Sequence, residues 1–168
     1  MADTGTLWTG AAISGFGVAL GFALNSVSGI LKTQGERRGH WLALRADIVR
    51  CGNGAKGYLE GGVAAPAGRL PVVSYSISFP ALLMAELLSE PDVEALSRFF
   101  ANAESHNRSL DLAQEALGTH ASNFQREVDR AVLKAEKVAA GQPQYLEAID
   151  TVTKHLRRHT GHRLLFWK

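Results

Sequence analysis

One cysteine, Cys51, stands in the whole chain, so no intramolecular disulfide can form. A disulfide-stabilised secreted scaffold is excluded, and a reducing compartment is mildly favoured. No phosphate loop, dinucleotide fingerprint or nucleophile motif occurs, and no internal repeat or low-complexity linker. Charge of one sign is also lacking: the net charge is +2, which gives no global field for nucleic acid. Scarcest of all is charge near the N-terminus. From Leu7 to Leu31 the chain reads LWTGAAISGFGVALGFALNSVSGIL, 25 residues without one ionisable group.

That run is the main positive feature. A bilayer core takes about 20 apolar residues at 1.5 Å rise each, so Leu7–Leu31 is long enough to span with some tilt. Trp8 sits near its first boundary, where an amphipathic ring favours the headgroup level. The head, MADTGT, has no basic residue, and KTQGERR after the run offers no small-residue cleavage site, so a signal peptide fits poorly. Lys32, Arg37 and Arg38, followed by Arg45 and Arg50, lie on one side only. By the positive-inside rule these topology-determining residues predict a single-pass membrane protein with its C-terminal domain in the cytoplasm.

Within the run, Ala11, Gly15, Ala19 and Ala23 recur every fourth residue, and Gly17 and Gly21 form a second small pair. Small residues at that spacing let helix backbones approach closely in lipid, and Asn25 adds a polar group that favours a partner there. The expected partners are the lipid bilayer and either a second copy or another membrane protein.

The expected fold class is all-α: one N-terminal transmembrane helix, then a small helical bundle with a Pro-rich extended connector. The domains read as a head (1–6), the span (7–31), a basic collar and juxtamembrane helix (32–62) and the bundle (63–168). Trp41, Leu44, Ile48, Cys51, Ala55 and Tyr58, spaced three and four apart, form one apolar seam on a helix that Gly61-Gly62 ends. Residues 63–80 carry Pro66, Pro71 and Pro80, and Tyr75, Ile77 and Phe79 alternate with serines, which predicts an extended segment. A short helix is expected from Pro80 to Leu88. Ser89, Pro91 and Asp92 resemble a helix start, opening a stripe of Val93, Leu96, Phe100, Ala103, Asn107 and Leu110 that ends near Gly118. A further helix carries Phe124, Val128, Ala131, Ala135 and Val138, and Pro143 opens another with Leu146, Ile149, Val152 and Leu156. Short connections predict antiparallel neighbours.

Chemistry is sparse. Glu104, His106 and Asp111 on one helix, with His40 and His120 elsewhere, do not form the oriented pair that acid–base work needs, so no catalytic residue is assigned and no enzyme is expected. Asn107 reads as a partner for the connector's backbone, and Cys51 as a small core residue. His155 and His159 share a helix face, with His162 close behind, but no cysteine or carboxylate completes a ligand set, so neither metal nor cofactor is expected. The C-terminal Arg157, Arg158 and Arg163 stand beside Phe166 and Trp167, a composition suited to an anionic membrane surface. The same apolar end could instead pack onto the bundle, pairing as a short strand with Val72–Phe79. No small-molecule substrate is evident. The functional expectation is a membrane-tethered helical interaction module, a scaffold or adaptor. A pore-forming or transporter-accessory subunit is the alternative.

Overall fold

The computed structural model describes the backbone of residues 4–61, 68–117 and 121–161, and the side chains of 32–61, 68–117 and 122–158. All regular structure among them is helical: α1 (Thr4–Glu60), α2 (Val73–Met84), α3 (Glu90–Ala116), α4 (Ala121–Val138) and α5 (Pro143–Gly161). The chain divides into two compact units, Met1–Arg37 and Arg38–Lys168. The first holds the N-terminal part of α1. Side chains of the Leu7–Leu31 run, including Ala11, Gly15, Gly17, Ala19, Gly21 and Ala23, lie outside the described residues. Among the described residues no helix is long and apolar enough to cross a membrane.

The second unit is built on the seam of α1. Trp41, Leu44, Ile48, Cys51, Ala55 and Tyr58 are all buried, as their three-and-four spacing predicts. They join Leu96, Phe99, Phe100, Ala103 and Leu110 of α3, Ala131, Ala135 and Val138 of α4, and Ala148 and Val152 of α5 in one core.

Cross-helix contacts fix the directions. His40, Asp47 and Cys51 of α1 bond in turn to Ser78, Ser74 and Pro71, so the segment 71–78 runs antiparallel to α1. Asp92 and Asn102 of α3 bond to His155 and Gln144 of α5, and Asn102 and His106 bond to Lys134 and Ala131 of α4. Both α4 and α5 therefore oppose α3. Trp41 stacks on His155 while Gly52 abuts Tyr145, so α5 opposes α1 as well. The result is an up–down–up–down bundle whose fourth member is one helix broken into α4 and α5.

That break corrects the expectation that short connections give antiparallel neighbours, since α4 and α5 head the same way. Gly141 has φ +94, a conformation glycine adopts without steric cost. The Ala140 N–H, freed from its own helix, donates to the Gly52 carbonyl of α1 at 2.9 Å. The chain thus re-enters a helix without reversing. Gly52 is required at this crossing: a Cβ there would lie 2.5 Å from the Tyr145 ring and 3.3 Å from the Ala140 nitrogen.

The connector is a second correction. Of the expected connector, only 68–72 lies outside a helix among the described residues; Val73–Met84 is helical, with Pro80 inside it, and the helix expected from Pro80 to Leu88 does not form as such. Tyr75, Ser78, Phe79 and Leu82 also fit a helical inner face, and burial of that face outweighs the strand-like alternation. Residue 72 gives no side-chain cap to α2. Instead the buried Asp47 of α1 accepts a hydrogen bond from the Ser74 N–H at 2.8 Å, satisfying an orphan donor of the first turn from another helix. Pro80 withholds one helical hydrogen bond, and its ring is accommodated on the exposed outer face. With Val73 onward coiled, Val72–Phe79 offers no strand for the C-terminal residues to pair with.

The remaining starts and stripes follow the sequence closely. Ser89 and Asp92 form a reciprocal capping box at the start of α3, with Pro91 in the first turn. On α5 the inward face is Ala148, Thr151, Val152 and His155, while Leu146, expected on the stripe, is 52% exposed.

Candidate interaction surface

Residues with chemical potential are mostly engaged in holding the bundle together. His106 is fully buried: its Nδ1 lies 2.8 Å from the Ala131 carbonyl, its Nε2 3.3 Å from the Gly68 carbonyl, and Tyr58 meets its ring edge-on. Burial pushes the Tyr58 hydroxyl above its ordinary pKa. Asn107 brackets Leu70, accepting from its N–H and donating to its carbonyl, both at 2.8 Å, which is the connector role expected of it. The Cys51 thiol donates to the Pro71 carbonyl at 2.9 Å. Burial, aided by the Asp47 charge, pushes its pKa up to about 12, so almost none of it is the reactive thiolate at neutral pH. Glu104 is exposed, Asp111 pairs with Arg69, and His40 shares a hydrogen bond with Ser78. His120 lies outside the described residues.

One cluster has the components of a catalytic set without its geometry. Asp92 Oδ2 accepts from the Ser89 N–H (3.0 Å), the Ser89 hydroxyl (2.5 Å) and His155 Nε2 (3.0 Å). His155 lies flat on Trp41, ring centroids 4.3 Å apart and planes 4° apart. A serine nucleophile needs the histidine beside it; here the carboxylate stands between the two, so the imidazole cannot take the hydroxyl proton. Burial raises the Asp92 pKa, but the Ser89 and His155 hydrogen bonds outweigh it and leave the carboxyl below its ordinary value. The cluster is a lock joining α1, α3 and α5.

No group of three or more His, Cys, Asp or Glu side chains among the described residues could hold a metal. His155 is committed to Asp92, and the side chains of His159 and His162 lie outside the described residues.

The outer face of α2 is the exception to this closure. Val73, Ile77 and Met84 are 69%, 63% and 86% exposed, with Pro80 between them and Leu83 alongside. Their spacing of four, three and four puts them on one stripe, opposite the inner Tyr75, Ser78, Phe79 and Leu82. A helix apolar on both faces is one whose second face invites a cover. Reading 73–80 as extended hid this stripe; the signal that reveals it is the helical spacing of Val73, Ile77, Pro80 and Met84.

Basic residues singled out from the sequence are placed in part. Lys32 is exposed, Arg37 and Arg38 are half-buried, and Arg157 and Arg158 are exposed. Arg163, Phe166 and Trp167 lie outside the described residues. Comparison with protein families, with curated proteins and with solved structures finds no match to this chain.

Proposed function

We propose that this chain is a membrane-tethered helical interaction module: Leu7–Leu31 spans the bilayer, the bundle lies on its cytoplasmic side, and the outer face of α2 binds a partner. The observation that carries the reading is the exposure of Val73 and Ile77 on the outer face of α2, set on a bundle whose polar clusters are engaged in its own architecture. Covering an exposed valine or isoleucine gains up to about 1.5–3 kcal/mol each, enough for a few such residues to anchor an interface. The small-residue face Ala11, Gly15, Ala19 and Ala23 would bring copies together in the bilayer, and a second copy is the expected partner.

The test is cross-linking in native membranes. The full chain carrying Ile77→Cys should give a thiol-specific adduct at twice the chain mass, because Cys51 is too buried to compete. Adding Val73→Asp should reduce the adduct roughly tenfold while the thermal midpoint stays unchanged, the loss of one anchor being worth about 1.4 kcal/mol or more. An adduct of another mass would assign a different partner, and no change on adding Val73→Asp would refute the surface. Release of the chain from membranes by alkaline carbonate would refute the span.

A further inference from the structure

We infer that the end of the bundle where α1 enters it is a docking face for an anionic lipid surface, a reading that rests on the proposed tether. The face is assembled from three segments far apart in sequence. Trp41 stacks on His155. Arg38 precedes Trp41 by about one turn on α1, and Arg157 and Arg158 follow His155 on α5. Because the two helices are antiparallel, these steps lead toward the same end. Ser78 meets His40 there. Since α2 also opposes α1, its last residues, Leu83 and Met84, project beyond that level, and both are exposed.

One end thus carries the guanidinium groups of Arg38, Arg157 and Arg158, the exposed Lys154 ammonium, and two bulky apolar side chains. Acidic groups are fewer: Glu36 precedes Arg38 on α1 and Glu86 and Glu90 sit at the α2–α3 turn, while Asp92 is occupied by Ser89 and His155. Cations at the same end as an exposed Leu and Met are what binding to a negative lipid surface requires: long-range attraction from the charges, shallow insertion from the apolar tips. Arg38 lies seven residues beyond Leu31, and even a fully extended link of that length reaches no more than about 25 Å. A tethered chain therefore holds this face at high effective concentration beside the headgroups, so weak contacts suffice.

The experiment places an environment-sensitive fluorophore on Met84→Cys in the full chain, reconstituted singly in nanodiscs of phosphatidylcholine alone or with a third phosphatidylserine. The expected result is a blue-shifted probe, quenched by shallow lipid-borne quenchers, in the anionic discs and reversed by 0.5 M salt, on the order of the charge screening involved. Arg157→Glu with Arg158→Glu should lower the docked-to-free ratio roughly tenfold or more, and Arg157→Lys with Arg158→Lys should leave it, since charge and not geometry is at issue. Both pairs are exposed, and an unchanged melting temperature confirms that the fold is kept. A probe indifferent to lipid charge in discs that retain the chain overturns the docking face and leaves the tether standing. A chain lost from neutral discs but bound to anionic ones overturns the tether and supports the face. A blue shift that appears only with two copies per disc assigns the patch to protein contact and overturns the inference.

Discussion

Asp92 serves two structures at once, closing the first turn of α3 through Ser89 and holding His155 against Trp41. Its folded-state pKa is lowered, so the stability it contributes is complete above the ordinary aspartate value of 3.8 and is lost as pH falls below that, through the folded value. Asp92→Asn should cost about 2–3 kcal/mol at pH 7, the worth of charge-assisted bonds in a buried site. It should also flatten stability below about pH 4, checked by urea unfolding into the acid range. An equally steep acid dependence in the variant would show that other carboxylates dominate. Half of this site is written plainly in the sequence, because a capping box is local: Ser89, Pro91 and Asp92 lie within four residues. His155 enters from 63 residues away, and no local pattern announces it.

At the scale of elements, the contrast between α1 and α2 shows what a sequence discloses. The seam of α1 is legible because six apolar residues repeat at helical spacing, and every one is buried. Segment 73–84 mixes two periods, and what favours the helix lies elsewhere: Asp47 caps it from α1, Asn107 grips Leu70 just upstream, and Tyr75 stacks on Phe100. None of these is visible within the segment. Its C-terminus, by contrast, is closed locally. The Leu87 N–H returns to the Leu82 carbonyl and the Glu86 N–H to that of Leu83, a Schellman closure, with Glu86 at φ 54 where glycine is usual. A left-handed non-glycine residue costs about 1–2 kcal/mol, partly offset by the chain entropy glycine adds when unfolded. Glu86→Gly should therefore stabilise the bundle by about 0.5–1 kcal/mol, read as a raised thermal midpoint; a lowered one would assign the Glu86 side chain a stabilising role.

For the whole bundle, the determining contact is the crossing of α1 by the α4–α5 junction. Backbone meets backbone there, Ala140 to Gly52, with Tyr145 packed over the gap. Gly52→Ala should cost about 1–3 kcal/mol, in the range of overpacked cores, through displacement of the Tyr145 ring. The same substitution at Gly39 or Gly57, where a Cβ would meet nothing within 4 Å, should be neutral or stabilising because alanine favours the helix. Comparative urea melts of the three variants check the ordering, and equal effects would refute a role for close approach. A run of glycines in a helix reads from sequence as weakness; only the fold distinguishes the one that is a contact point.

The grip of Asn107 on Leu70 has a consequence for how the chain tolerates change in length. The clamp fixes where the returning segment begins, so the spacing from Leu70 to Val73 sets the phase of α2. Between Leu70 and Val73 no change of length is tolerated. One residue added there would turn α2 by about 100° relative to the clamp, carrying the exposed stripe toward the core and the aromatic face toward water. A change of length there is thus a change of face, and Asn107 is the residue that makes it one.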